Sequence, residues 1–532
     1  MKSAIRAALL VSLCLSTAAF AQDDKNAGKN MPAPNPEFFK AQESVTQGSV
    51  TANGTHVDYT AHAGTLIVHP KDWDDASEPK GDKKDAQPIA EMFYVAYFKN
   101  GVDPTKRPIT FLYNGGPGSS TVWLHMGAFG PRRIVTADDT HTPSAPYQVV
   151  NNDESLLDAS DLVFIDAPGT GFSRIAGKDK EKAFYGVDPD AYAFAQFISE
   201  FLGKYGRWNS PKYLFGESYG TPRSAVLVNE LETDRDIDFN GVILLSQILN
   251  FDLSADRPEY NPGIDLPYQV ALPTYAATAW YHHRLPPNAP KDLPTLIRQA
   301  EGFAMGEYGL ALERGASIGP SWRKEIIAKL HMFTGLPASY IDKANLRIDG
   351  GEFEKSLEGA SDTTVGRLDT RFSGPTLDPL SERSDYDPQS AAISSAYVSA
   401  FNDYVRRVLN FGGDREYKPE IPVFRYWDFK HQAPGVQHAL RGSTNTMPDL
   451  ANAMKFNPNL KILLNGGYFD LATPFYEGWY EMHHLQIPAK LQANITYRYY
   501  QSGHMVYAHA PALKQLHDNV AAFIEQTDNV QK

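Results

Sequence analysis

The fold of this chain is indicated most clearly by residues 213–220, Tyr213-Leu214-Phe215-Gly216-Glu217-Ser218-Tyr219-Gly220. A short apolar strand enters the pattern G-x-S-x-G, and residues 222–231 after it have the spacing of a helix. The two glycines of the pattern allow a sharp turn that exposes Ser218 as a strained nucleophile. The amide of Tyr219, at the helix start, can then stabilise negative charge on an acyl oxygen. An ordinary glycine-rich turn is the weaker interpretation.

Predicted strands and helices alternate on both sides of this turn. Strands are predicted at residues 109–113, 162–165, 241–245, 461–464 and 495–500, the first two of them buried, and flanking helices at 191–205 and 510–526. An Asn-Gly pair at 53–54, between two alternating runs, predicts a hairpin. The alternation stops from about residue 250 to 445, where the sequence is Pro-rich and mostly helical. The pattern therefore predicts the α/β class: a hydrolase core with a central, mostly parallel sheet and a large, mainly helical cap insertion.

These patterns divide the chain into five predicted segments. They are a signal peptide (1–21), a flexible N-terminal segment (22–47), the first part of the core (48–250), the cap insertion (251–445) and the second part of the core (446–532).

The first residues have the organisation of a secretory signal peptide. Lys2 and Arg6 precede a short apolar stretch, 7–15, and small residues predict cleavage after Ala21. The apolar stretch is too short to span a bilayer, and no later uncharged run approaches about 20 residues, so no integral membrane segment is predicted after cleavage. The single cysteine, Cys14, leaves with this peptide. A mature chain without disulfides favours bacterial export, to the periplasm or the medium, over the eukaryotic secretory route.

Charge and histidine spacing restrict the partners. The formal net charge of −13 argues against nucleic acid or anionic lipid. The adjacent pairs His282-His283 and His483-His484 lack metal-ligand spacing, so neither a metal nor a cofactor is predicted. Two charged loops, 366–371 and 385–388, could line a substrate entrance, although loops held by ion pairs are the favoured interpretation.

A serine nucleophile needs a base and a carboxylate that orients the base. Asp470 directly follows the predicted strand 461–464, and His504 directly follows the strand 495–500. The order Ser, Asp, His, with acid and base in loops after late strands, is that of an α/β-hydrolase. The sequence therefore predicts a catalytic triad of Ser218, Asp470 and His504.

A second glycine-rich loop, Asn114-Gly115-Gly116-Pro117-Gly118, directly follows the strand 109–113. Its glycines let bare backbone approach a substrate oxygen, as the second half of an oxyanion hole requires. A phosphate-binding turn is the alternative. The loop lacks the Gly-Lys-Ser/Thr ending of a P-loop and the spacing of a dinucleotide fingerprint, so the hydrolase interpretation is favoured.

Several blocks taken together resemble the serine carboxypeptidase family. In family order they are Asn114-Gly115-Gly116-Pro117-Gly118, Asp166-Ala167-Pro168-Gly169-Thr170-Gly171-Phe172-Ser173, Gly216-Glu217-Ser218-Tyr219-Gly220, Asp470 with Pro474, and Gly503-His504-Met505. They flank a helical insertion, as that family's cap does. The resemblance covers about residues 90–250 and 455–528.

The resemblance implies roles beyond the triad. The amides of Gly116 and Tyr219 would form the oxyanion hole, and the side chains of Asn114 and Glu217 would bind the C-terminal carboxylate of a peptide. A Glu beside a carboxylate must be protonated to donate a hydrogen bond, so a raised pKa and acidic activity are expected. The alternative for Glu217 is a solvated carboxylate at a helix N-terminus. The chain departs from the family at Ala128, where the family has a second carboxyl partner.

The resemblance implies a serine-type carboxypeptidase that releases C-terminal residues from peptides through an acyl-enzyme. An esterase or acyltransferase on the same scaffold is the nearest alternative. A non-catalytic binding protein is the alternative from another class.

Overall fold

The structure, a computed structural model, describes residues 38–71, 73, 87–439 and 442–530. The predicted signal peptide and its cleavage site lie outside these residues. Over the part of the chain that is described, no helix is both long enough and apolar enough to cross a membrane.

The described residues form fourteen strands and thirteen α-helices. The strands are β1 (Glu43–Ala52), β2 (Thr55–Val68), β3 (Ile89–Lys99), β4 (Ile109–Tyr113), β5 (Arg132–Ile134), β6 (Val149–Asn151), β7 (Asp161–Ile165), β8 (Arg174–Ala176), β9 (Lys212–Glu217), β10 (Gly241–Leu245), β11 (Thr363–Val365), β12 (Ser373–Pro375), β13 (Lys461–Gly467) and β14 (Ile495–Tyr500). The helices are α1 (Lys180–Phe184), α2 (Val187–Tyr205), α3 (Gly220–Asp234), α4 (Leu266–Tyr281), α5 (Leu293–Phe303), α6 (Gly309–Arg314), α7 (Pro320–Thr334), α8 (Ala338–Lys343), α9 (Gly350–Leu357), α10 (Pro388–Arg407), α11 (Met447–Phe456), α12 (Phe475–His483) and α13 (Ala510–Thr527).

One large sheet runs through the molecule in the order β1-β2-β3-β7-β4-β9-β10-β13-β14, with β8 paired to β3. Strands β1, β2, β3 and β7 pair antiparallel, whereas every pair from β7 to β14 is parallel. All five residues of β4, β7 and β10 are buried, because helices cover both faces of a parallel sheet. The predicted α/β-hydrolase fold, with its mostly parallel central sheet, is confirmed. Strand β9, which leads to Ser218, lies near the middle of the sheet.

The antiparallel edge begins with the hairpin predicted from Asn53-Gly54. Both residues have positive φ, 46° and 76°, and Ala52 pairs with Thr55, so the turn is of the two-residue kind that matches the twist of the strands. Strand β1 begins at Glu43, inside the segment 22–47 that the sequence predicts to be flexible.

Helices cover both faces of the sheet. Helices α2, α3 and α11 bury Phe197, Leu227 and Leu450 against one face. Helices α10 and α13 bury Phe401 and Leu516 against the other, together with a π-helical turn at Leu124–Phe129. The sheet is therefore the middle of three layers, and its carboxyl edge is left for the site.

The predicted insertion, 251–445, divides into two parts. Its helices from α4 to α9 share an apolar core of their own, which includes Tyr275, Leu330 and Phe353. Helix α10 packs with the sheet instead, and the hydroxyl groups of Tyr404 and of Tyr97 on β3 lie 3.0 Å apart. The reason is the apolar stripe along α10, whose buried side chains repeat with helical spacing on the side that faces the core.

Candidate active site

Ser218 occupies a strained turn between β9 and α3. Its φ of 59° lies in the left-handed region that non-glycine residues rarely adopt. A Cβ at Gly216 would overlap the carbonyl oxygen of Gly220, so the turn can form only with glycine there. The Ser218 amide donates to the Leu245 carbonyl on β10 (3.0 Å), and the Ser218 carbonyl accepts from the Thr221 amide (2.8 Å). Ser218 is half-buried, whereas the residues on either side of it are buried. This difference is expected of a nucleophile that a sharp turn presents to the substrate.

Asp470 and His504 are in direct contact beneath the same edge of the sheet. His504 Nδ1 lies 2.8 Å from Asp470 Oδ2, and Asp470 is fully buried. The other carboxylate oxygen accepts from the amides of Ala472 (2.9 Å) and Thr473 (3.0 Å), while the Thr473 hydroxyl donates to Oδ2 (2.7 Å). A carboxylate at Nδ1 favours the tautomer that leaves Nε2 free to accept a proton.

One cleft of about 170 Å³ gathers most of the predicted site. Its lining includes Asn114, Gly116, Glu217, Ser218 and His504, whereas Asp470 lies behind His504. The other lining side chains include four large apolar ones, Trp123, Leu368, Ile393 and Met505, and four polar ones, Ser119, Ser390, Ser394 and Glu420. Arg367 also lines the cleft and is paired with Asp256.

The loop 114–118 lies against the turn that bears Ser218. A Cβ at Gly115 would overlap the amide nitrogen of Tyr219, and Gly116 itself has a φ of 103°. Only glycine therefore allows these two backbone segments to approach so closely. The two amides predicted for an oxyanion hole belong to adjoining backbone segments.

Glu217 is buried beside the nucleophile. Burial raises the pKa of Glu217 to about 7, against the opposing effects of His504 and of hydrogen bonds from Tyr507 and Asn114. Asn114 is itself held in place, because its side-chain oxygen accepts from the Leu124 amide (3.1 Å). The solvated carboxylate, considered as the alternative from sequence, does not describe this side chain.

Burial and nearby charges act in opposite directions on the pKa of His504. Burial acts to lower the pKa of His504, but the carboxylate of Asp470, and then that of Glu217, outweigh it, so the pKa is raised. His504 and Glu217 each influence the pKa of the other, so their protonation is coupled.

Comparison with known proteins shows what part of this chain is similar to. Residues 83–256 match the family model described as serine carboxypeptidase. Over these residues the chain is similar to that family. A pheromone-processing carboxypeptidase KEX1 from Phytophthora infestans is 28% identical over 173 residues, which are 30% of this chain and 24% of that protein.

Two further relatives are similar to part of this chain. Carboxypeptidase Y of Saccharomyces cerevisiae is 25% identical over 178 residues, covering 33% of this chain and 31% of its own. Serine carboxypeptidase-like 36 of Arabidopsis thaliana is 24% identical over 229 residues, covering 39% of this chain and 44% of its own. The chain thus spans less than half the length of each of these curated relatives.

A loop of the insertion, 366–371, contacts the segments that carry Asp470 and His504. Three main-chain groups of the loop make these contacts: the Leu368 carbonyl accepts from the His504 amide (2.6 Å), the Arg367 carbonyl accepts from the Leu471 amide (3.1 Å), and the Thr370 amide donates to the Phe469 carbonyl (2.9 Å). The Asp369 carboxylate also accepts from the Gly503 amide (3.2 Å) and pairs with Arg371 (2.7 Å). The favoured interpretation of an ion-paired loop applies, and Arg367 and Leu368 additionally line the cleft.

Two residues of the site were missed from the sequence. Thr473 lies three residues after Asp470 and bonds its carboxylate, a local pattern of hydroxyl and carboxylate that sequence reading could have found. Tyr507 bonds Glu217, which lies 290 residues earlier in the sequence, and no local sequence pattern predicts such a contact. Within the described residues, no group of three or more His, Cys, Asp or Glu is arranged to hold a metal ion.

The close approach of Gly115 to the nucleophile turn gives a direct test. Gly115→Ala is expected to lower kcat/KM by about 100-fold or more, because the new Cβ must displace backbone that would stabilise the oxyanion. The measurement is hydrolysis of an activated ester beside the Tm of each variant. Gly302→Ala, on a helix with nothing within 4 Å of the added Cβ, is the control and should keep wild-type kinetics. Unchanged kinetics in Gly115→Ala would contradict the assigned oxyanion hole.

Proposed function

We propose that this protein is a serine-type carboxypeptidase that hydrolyses peptides and releases their C-terminal residue. The observation that carries the proposal is Glu217, a buried carboxyl with a pKa of about 7 in the same cleft as Ser218. Below that pH the buried acid is mostly protonated and can donate a hydrogen bond to a carboxylate. A peptide held by its terminal carboxylate would present its last peptide bond to the serine.

The chemistry assigned to the triad proceeds in two halves. His504 Nε2 takes the proton of the Ser218 hydroxyl as its oxygen attacks the peptide carbonyl. The amides of Gly116 and Tyr219 hold the resulting oxyanion. His504 then gives its proton to the leaving amine, an acyl-enzyme remains on Ser218, and water activated by the same histidine releases it.

Carboxylate recognition is assigned to Asn114 and Glu217. The Asn114 side chain is anchored by Leu124, and Glu217 directly precedes the nucleophile in sequence, so both would be fixed relative to the reacting bond. An ester or amide without a terminal carboxylate would not use Glu217. Comparing such substrates therefore separates a carboxypeptidase from an esterase on the same scaffold.

The test is a pH profile on three matched substrates: a blocked dipeptide with a free carboxylate, its C-terminal amide and its ester, from about pH 4 to 9. For the free acid, kcat/KM should rise as His504 loses its proton and fall as Glu217 ionises, because an ionised Glu217 repels the substrate. The ester should keep the rising limb and lose the falling one. Equal profiles for acid and amide would indicate an esterase or a less specific peptidase.

The variant that completes this test is Glu217→Gln. An amide donates at every pH, so the falling limb on the free acid should disappear, and kcat/KM at acidic pH should drop by about 10-fold. Turnover of the ester should barely change. A falling limb that persists in Glu217→Gln would assign it to another group.

We also propose that the protein is exported after removal of residues 1–21, as its N-terminal sequence suggests. N-terminal sequencing of the mature protein, isolated from its own cells, checks the cleavage site.

A further inference from the structure

Tyr507 makes a contact that neither the motif pattern nor the assigned chemistry requires. Its hydroxyl lies 2.9 Å and 3.1 Å from the two carboxyl oxygens of Glu217. Tyr507 is 2% exposed and lies three residues after His504, in a short 3-10 turn from Val506 to Ala508. His504 and Tyr507, the partner of Glu217, therefore belong to one short segment of the chain.

We propose that Tyr507 is a specificity-determining positioning residue, whose hydroxyl orients the Glu217 carboxyl toward the terminal carboxylate of a peptide. The inference rests on the proposed carboxypeptidase function. In the family that the sequence resembles, a second carboxyl group at the position of Ala128 would be the hydrogen-bond partner of Glu217. In this protein the hydroxyl of Tyr507, a neutral group, takes that role.

The packing beside Ala128 is consistent with this assignment. Ala128 is fully buried in the π-helical turn Leu124–Phe129. At the preceding Gly127, a Cβ would come within 2.7 Å of the Tyr507 ring and within 2.6 Å of the Tyr397 hydroxyl. Two tyrosine rings thus fill the space beside this turn, and they leave the hydroxyl of Tyr507 directed at Glu217.

The surroundings of Glu217 decide what the hydroxyl does to it. His504 and Asn114 favour the ionised form of Glu217, while Asp470 opposes it; Tyr397 on α10 also faces the site and interacts with Glu217. Burial, followed by the charge of Glu217, raises the pKa of Tyr507 well above its usual range, so the hydroxyl keeps its proton at every working pH. Tyr507 is therefore a permanent donor to Glu217.

A donor has two consequences for a carboxyl group. It stabilises the ionised form, so without Tyr507 Glu217 would lose its proton only at a higher pH. It also restricts rotation of the carboxyl group, because the hydroxyl lies within hydrogen-bond distance of both carboxyl oxygens. Tyr507 thus strengthens the binding of a terminal carboxylate by Glu217. At the same time, it restricts this binding to lower pH.

The experiment is the pH profile of Tyr507→Phe on the free acid and on the ester. On the free acid, KM at acidic pH should rise about 3- to 10-fold, and the falling limb of kcat/KM should move to higher pH by about half a unit to one unit. On the ester, kcat/KM should match wild type. Tyr404→Phe, which removes another buried hydroxyl, one bonded to Tyr97, is the control and should leave the falling limb in place.

A binding measurement separates positioning from folding and from catalysis. In the Ser218→Ala background, calorimetry with the intact peptide acid and its amide gives the pH at which preference for the acid is lost. Adding Tyr507→Phe should move that pH upward. If wild type prefers the acid but Tyr507→Phe moves neither limb nor binding, the inference about Tyr507 is wrong. If wild type shows no preference for the acid, the proposed function itself is wrong.

Discussion

Ser218→Ala is expected to lower kcat by at least about 10⁴-fold on every substrate, because the variant lacks the hydroxyl of the proposed nucleophile. The turn that holds Ser218 at a φ of 59° should survive, since alanine adds no atom to it. What remains would be the small acceleration that binding and an oxyanion hole give to attack by water. The measurement is steady-state hydrolysis of the dipeptide and of its ester.

Labelling makes the same test independent of the substrate chosen. A fluorophosphonate probe should attach to the wild-type protein at Ser218, identified by mass spectrometry of the labelled peptide, and should not label Ser218→Ala. Ser199→Ala is the matched control, because the Ser199 hydroxyl bonds only the preceding turn of α2, at Ala195. Labelling at a different serine, or a Ser218→Ala variant of wild-type activity, would remove the basis of the triad.

Asp470→Asn is expected to lower kcat by about 10³- to 10⁴-fold with little change in KM. Both carboxylate oxygens accept two hydrogen bonds, from Ala472 and Thr473 on one side and from Thr473 and His504 on the other. The amide group of asparagine must face one of these pairs. Facing the backbone, it opposes two donors; facing His504, it forces the proton onto Nε2, where it prevents the histidine from acting as a base.

The control for this variant is Asp292→Asn. Asp292 also accepts a backbone amide, that of Thr295 at the start of α5, but it does not line the cleft. Its replacement should change neither stability nor activity appreciably, because Asn and Asp are equivalent at a helix N-cap. The two variants should also differ in their proton NMR spectra. The proton on His504 Nδ1, which is bonded to Asp470, should give a downfield signal that only Asp470→Asn removes. A variant at Asp470 that keeps full activity would show that His504 needs no orienting carboxylate.

The sheet and its turns could be predicted because their signals are local. The sequence assigns β4 as residues 109–113 and β10 as 241–245, and both agree with the structure, since continuous apolar runs between turn residues are typical of buried strands. The Asn53-Gly54 turn was predicted for the same reason. Loops after parallel strands meet at one edge, which is why order alone was enough to nominate Asp470 and His504.

The packing of α10 and the partner of Glu217 could not be predicted in this way. The apolar stripe of α10 suits either a cap or a sheet face, and the choice depends on contacts with β3, about 300 residues earlier in the sequence. The partner of Glu217 depends on a missing Cβ at Gly127, which gives the ring of Tyr507 its room. Each is a fact of three-dimensional packing with no counterpart in local sequence.

The loop 366–371 connects the insertion to the proposed active site. Because its main-chain groups bond the segments around Asp470 and His504, we expect these segments to reach their final positions only when the insertion has folded. A newly made chain would therefore remain inert until synthesis has passed residue 504 and the loop has docked. An insertion taken from another protein would have to reproduce those main-chain contacts. The insertion and the loops around Asp470 and His504 are therefore expected to evolve together.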